Sequence, residues 1–177
     1  MMRNLLKWCV VFLFITAISG CDQKSTAGFK PDSEPDGFAG IKWKKEFPEA
    51  SAGMVESQVI SNPAKPSGKI KVFYTRTGDD LEIGEARLEK REYGFWRGKF
   101  TDVRMIIAGP ENFERVKKYL FETYGPVDKP VEGTYRWRGN VTEITLRDGG
   151  SARPNVLTIA SRNLAQKELQ EIMDSDR

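Results

Sequence analysis

Residues 86–108 read ARLEKREYGFWRGKFTDVRMIIA, and this stretch decides the fold. Ala86 to Arg97 and Lys99 to Ala108 flank Arg97-Gly98, with Tyr93 and Phe95 on one side and Phe100, Val103, Met105 and Ile107 on the other. That pattern predicts a central β-hairpin. It stops at Gly109-Pro110, where a proline in a first helical turn lacks only a hydrogen bond that would go unmade anyway. A helix is expected over about 110–124, with Phe113, Val116, Leu120 and Tyr124 on one face and Glu114, Lys117, Lys118 and Glu122 toward the other. Gly125-Pro126 ends it.

Outward from this centre, Met54 to Ile60 and Lys69 to Arg76 read as an antiparallel pair of strands, separated by the breakers Asn62-Pro63 and Ser67-Gly68. Phe38 to Trp43 alternates as an edge strand would. Downstream, Thr134 to Arg138 and Val141 to Arg147 are joined by Gly139-Asn140, a two-residue turn, and Asn155 to Ser161 gives one more strand. Asn163-Leu164-Ala165-Gln166 resembles a capping box. Ala165, Leu169 and Ile172 then form a narrow apolar stripe on a final helix. The expected fold is α+β: a largely antiparallel sheet of about six to eight strands, packed by the helix at 110–124, with an additional C-terminal helix.

The N-terminus reads differently. Arg3 and Lys7 precede an apolar run from Trp8 to Ile18, and Ile18-Ser19-Gly20-Cys21 follows. The run is well short of the roughly 20 residues that a membrane-spanning helix needs. The order of parts is that of a secretory signal, and I-S-G-C resembles the lipobox of bacterial lipoproteins. The resemblance implies removal of residues 1–20 and acylation of Cys21, which holds the protein on a membrane through two or three chains where one would bind marginally. Asp22 resembles the enterobacterial signal for retention in the inner membrane, facing the periplasm; the outer membrane is the second expected address. Residues 21–37, polar and carrying Pro31 and Pro35, read as a flexible tether, leaving 38–177 as one globular domain.

Composition narrows the chemistry. The whole chain has 28 basic and 25 acidic residues, and its net charge of +3 falls to +1 when Arg3 and Lys7 leave with the signal. Nucleic acid is not an expected partner. There is no histidine, and of the two cysteines Cys9 lies in the signal and Cys21 carries lipid. Disulfides, Ser-His-Asp and Cys-His catalysis, and histidine or thiolate metal sites are thereby excluded. Neither S-x-x-K nor G-x-S-x-G occurs. No catalytic residue, metal site or cofactor is expected.

The blocks GFAGIKW, IGEARLEKREYGFWRGKFTDVRMII, FERVKKYLFETYGP and YRWRGNVTEITL are together similar to a family of uncharacterised bacterial secreted proteins and lipoproteins, over residues 37 to about 160. Turn glycines and core aromatics make up most of these blocks, so the resemblance implies a shared fold and no activity. Lys44 stands where that family usually has glycine.

Two stretches combine aromatic and cationic side chains as a ligand surface would. Trp96, Arg97 and Lys99 lie at the central hairpin tip, and Arg136 and Arg138 alternate with Tyr135 and Trp137, which strand geometry sends to the opposite face. The acidic run Asp79 to Glu85 has Leu81 and Ile83 where a calcium loop needs oxygen ligands, so it reads as a solvated loop. The leading expectation is a non-enzymatic, membrane-anchored periplasmic module that binds an envelope protein or glycan. The alternatives are a carboxylate-dependent envelope hydrolase and an outer-membrane assembly accessory lipoprotein.

Overall fold

A computed structural model describes residues 28–62, 65–127 and 130–175; the signal, Cys21 and Asp22 lie outside them. A small hairpin of β1 (Gly37–Phe38) and β2 (Ile41–Lys42) leads through a single-turn helix α1 (Phe47–Ala50) into the main sheet. Strands β3 (Met54–Asn62), β4 (Lys65–Arg76), β5 (Glu82–Ile83), β6 (Ala86–Trp96) and β7 (Lys99–Ile107) come before helix α2 (Gly109–Tyr124). Strands β8 (Thr134–Arg138), β9 (Thr142–Arg147) and β10 (Asn155–Ser161), then helix α3 (Arg162–Ser175), complete the chain.

The eight-stranded sheet runs β3-β4-β6-β7-β10-β9-β8, with β5 paired to β6. Every pairing is antiparallel. The chain thus builds one meander up to β7, crosses the sheet through α2 to the far edge, and returns through a second meander until β10 closes against β7. This is the α+β architecture expected from the residues, with two differences. Residues 37–42 form their own hairpin instead of an edge strand of the main sheet, and α3 starts at Arg162, which puts Asn163 inside its first turn.

Alternation along the strands gives the sheet two unlike faces. Trp137, Ile144, Ile159, Val103, Tyr93 and Tyr74 are successive cross-strand partners, and all but Tyr74 are fully buried or nearly so. Phe113, Val116 and Leu120 of α2 cover this face. Burying a side chain of this size contributes roughly 1.5–3 kcal/mol, so this layer supplies most of the core. The central tip has Arg97 at φ 49° and Gly98 at φ 78°, the paired positive angles of a type I′ turn that matches the sheet's twist.

One residue along each strand, the opposite face carries Arg138, Glu143, Ala160, Asp102, Gly94 and Phe73 in register. It is mostly polar, and α3 lies over part of it. Leu164 is the apolar residue of α3 that is buried, in a small cluster with Ile70 and Trp96. No helix among the described residues is long and apolar enough to cross a membrane.

Candidate functional site: an arginine cleft at one end of the sheet

The first described residues do not trail away as a tether would. Phe29 packs edge-on against Tyr124 with ring centroids 5.5 Å apart. The Lys30 backbone N–H donates to the Tyr124 carbonyl at 2.8 Å and its Nζ to the Glu122 carbonyl at 2.7 Å. These carbonyls belong to the last turn of α2, where helical geometry leaves acceptors unused and the dipole favours a cation. Residues 28–37, expected to be tether, therefore dock on the domain.

Glu34 fixes the segment further. Its carboxylate accepts from the backbone N–H groups of Asn140 (3.0 Å), Val141 (2.6 Å) and Thr142 (2.7 Å). Burial alone would raise this carboxyl, but the three amides and the nearby Arg162 guanidinium outweigh it and hold the group below its ordinary range. Gly139 makes the approach possible, because a Cβ there would fall on the Glu34 carboxylate. The connection from β8 to β9 thus spans Gly139, Asn140 and Val141, one residue more than the sequence suggests. The Thr142 hydroxyl donates to the Pro35 carbonyl at 2.5 Å and accepts from the Trp43 indole N–H at 2.7 Å.

Between this docked segment, β8 and the start of α3 opens a cleft of about 710 Å³. Lys30, Arg136, Arg138 and Arg162 line it, with Asp32 and Glu34 as the acids. Arg138 Nε lies 2.8 Å and Arg136 Nε 3.4 Å from the one carboxylate of Glu143, so two guanidinium groups share a single counter-charge. An Arg162 guanidinium N–H donates to the Gly139 carbonyl. Arg138 and Arg162 also border a narrower groove of about 250 Å³ beneath α3, floored by Thr145, Thr158 and Ala160. Guanidinium forks around an open hollow suit an anion with several oxygens, such as a phosphate or carboxylate.

The five residues singled out in the sequence fall into two places. Arg136 and Arg138 stand on the cleft wall, whereas Trp96, Arg97 and Lys99 lie three to four strand spacings away, about 14–19 Å, though at the same end of the sheet. Trp96 is 9% exposed and packs under Leu164, so it offers no surface for headgroups or glycan. Its buried indole N–H has no acceptor among the described residues. Arg97 makes a two-pronged pair with Glu171 of α3, at 2.8 and 2.5 Å, and Lys99 faces Glu46 at 3.4 Å. The tip is accordingly a docking point for α3.

Lys30, Glu34 and Arg162 complete the cleft and were not expected there. Nothing local marks them. Lys30 and Glu34 sit in a proline-bearing polar stretch, and Arg162 sits at a strand-to-helix junction more than a hundred residues on.

A second polar cluster occupies the sheet face beside α3. Lys71 Nζ lies 2.7 Å from Asp102 Oδ1 and 2.8 Å from Glu168 Oε2. Burial opposes the ammonium charge, but Asp102 and Glu168 together raise Lys71 above its ordinary value. A lysine held protonated is a poor nucleophile or base, so this triad ties α3 to the sheet. Glu92, 1% exposed, receives Ser57 at 3.1 Å, Lys90 at 2.7 Å and Arg104 at 2.6 Å. In the acidic loop, Asp79 accepts from the Tyr93 hydroxyl at 2.7 Å. Compared with protein-family models, with curated proteins and with solved structures, the chain matches none of them.

Proposed function

We propose that this chain is a bacterial lipoprotein, fastened through lipid on Cys21 to the inner membrane on its periplasmic side. In this reading the globular domain is a non-enzymatic module that binds an anionic envelope component in the cleft of Arg136, Arg138 and Arg162. The observation that carries the reading is that Gly28, Phe29 and Lys30 form part of that cleft's wall, and Gly28 stands seven residues after the lipobox cysteine. Anchor and binding surface then lie at the same end of the molecule.

The carboxylate-hydrolase alternative has less in its favour. Of the two acids lining the cleft, Glu34 has both oxygens turned onto backbone amides, which leaves Asp32 without a second carboxylate free to act with it.

Cell fractionation and mass measurement of the native N-terminal peptide test the anchor. The full chain should be recovered with membranes, carry acyl mass on Cys21, and shift to the soluble fraction in Cys21→Ala. An unmodified cysteine would refute the anchor. Crosslinking in intact cells tests the binding role: Arg136→Gln/Arg138→Gln should lose an envelope adduct that the wild type forms, and identical adducts in both would count against the cleft.

A further inference from the structure

The site's place on the chain limits where the domain can face. This inference rests on the lipid anchor at Cys21. Seven residue steps separate Cys21 from Gly28, and at no more than about 3.6 Å each they reach at most ~25 Å. A domain of this size is roughly 40 Å across. The strap is shorter than the body it holds, so the end carrying the cleft stays near the headgroups while the far end, with the β9–β10 loop, is kept away. Phe29 and Lys30 prevent the strap from lengthening, because they are fastened to the last turn of α2.

Charge agrees with this placement. Lys30, Arg136, Arg138 and Arg162 meet Asp32, Glu34 and the shared Glu143, which leaves an excess of cation. Glu34 is further occupied by three amides. Arginine's planar fork matches the oxygens of a phosphodiester. We infer that the cleft receives the phosphate of an anionic phospholipid from the same bilayer that holds the acyl chains, so that the domain rests with the β8–β9 turn and the start of α3 against the membrane surface.

The mature chain offers no other thiol once Cys21 is acylated, so single reporters are clean. The full lipidated protein carries a fluorophore either at Val141→Cys, a 48%-exposed position on the turn beside the cleft, or at Ser151→Cys, at the opposite end of the sheet. Each is reconstituted into vesicles of phosphatidylcholine alone or mixed with phosphatidylglycerol, both containing a headgroup quencher. In anionic vesicles the Val141→Cys reporter should be quenched severalfold more than the Ser151→Cys reporter. Arg136→Gln/Arg138→Gln should bring that ratio close to one, because two cations then leave the anionic surface.

Equal quenching at the two positions, or a contrast untouched by the arginine variants, overturns the inference. So does a cleft that binds inorganic phosphate equally well with and without anionic vesicles, since the ligand is then a free anion and not a headgroup. A chain that floats with neither vesicle overturns the anchor and this inference together. One that floats with both yet shows no contrast overturns the headgroup site alone.

Discussion

At the scale of residues, a glycine and a carboxylate decide whether the N-terminal segment docks. Gly139 leaves room for Glu34 to reach three amides, so Gly139→Ala should release residues 28–36. The expected cost is about 1–3 kcal/mol, the range for stranding hydrogen-bonded groups, and limited proteolysis should cut near Lys30 sooner than in the wild type. The Glu34 carboxyl is held below its ordinary range in the folded protein. Its contribution is therefore complete above that ordinary value and is lost as pH falls through the lower folded value. Urea midpoints of wild type and Glu34→Gln should differ at neutral pH and converge in acid; a constant gap would contradict the assignment. Lys71 acts in the opposite sense, neutralising two carboxylates on a face where it is 9% and Asp102 7% exposed. Lys71→Met leaves those charges uncompensated and should cost about 3–5 kcal/mol. Asp102→Asn in the same chain should recover part of the loss in chemical denaturation.

At the scale of elements, the two long helices are held by different forces, and this governs what the sequence reveals. Helix α2 presents Phe113, Val116 and Leu120 to an aromatic and aliphatic face, and glycine-proline pairs bound it on both sides, so periodicity and breakers locate it almost to the residue. Helix α3 also shows an apolar stripe, yet Leu169 is 58% exposed and Ile172 40%, while Leu164, outside that stripe, is the buried contact. The sheet beneath α3 is polar, and the helix is fastened by Lys71–Glu168 and Arg97–Glu171. Hydrophobic spacing carries no signal for a charged seam. The same reason hides the docking of residues 28–36, which works through helix-end carbonyls and turn amides, groups that every residue possesses. Glu168→Gln/Glu171→Gln with Leu164→Ala should free α3 while the sheet stays folded. Leu164→Ala contributes about 2 kcal/mol of the effect, Glu168→Gln takes a buried partner from Lys71, and the exposed Arg97–Glu171 pair adds little. Amide exchange should quicken in 162–175 and remain slow in β6, β7 and β10; uniform acceleration would mean that α3 belongs to the same cooperative unit as the sheet.

For the whole molecule, the strands of the two meanders pair where β7 meets β10, from Asn155↔Ile107 to Ala160↔Asp102. Helix α2 bridges them on the core face, and the N-terminal segment bridges them at one end, joining the last turn of α2 to the β8–β9 turn. That second bridge closes the second meander's outer end, where Trp137 is fully buried and donates its indole N–H to the Gly125 carbonyl at 2.8 Å. A chain beginning at Phe38 loses Phe29, Lys30, Glu34 and Pro35 together, while one beginning at Gly28 keeps them all. The apolar area and hydrogen bonds removed correspond to about 2–4 kcal/mol, a drop of roughly 5–15 °C in Tm for a domain of this length. The loss should be uneven, because α2 still spans the seam: exchange should quicken first in residues 134–147, at the edge farthest from β3. If the two chains melt together and exchange alike, the N-terminal segment only decorates the domain, and the short strap that ties the arginine cleft to the membrane surface loses its physical basis.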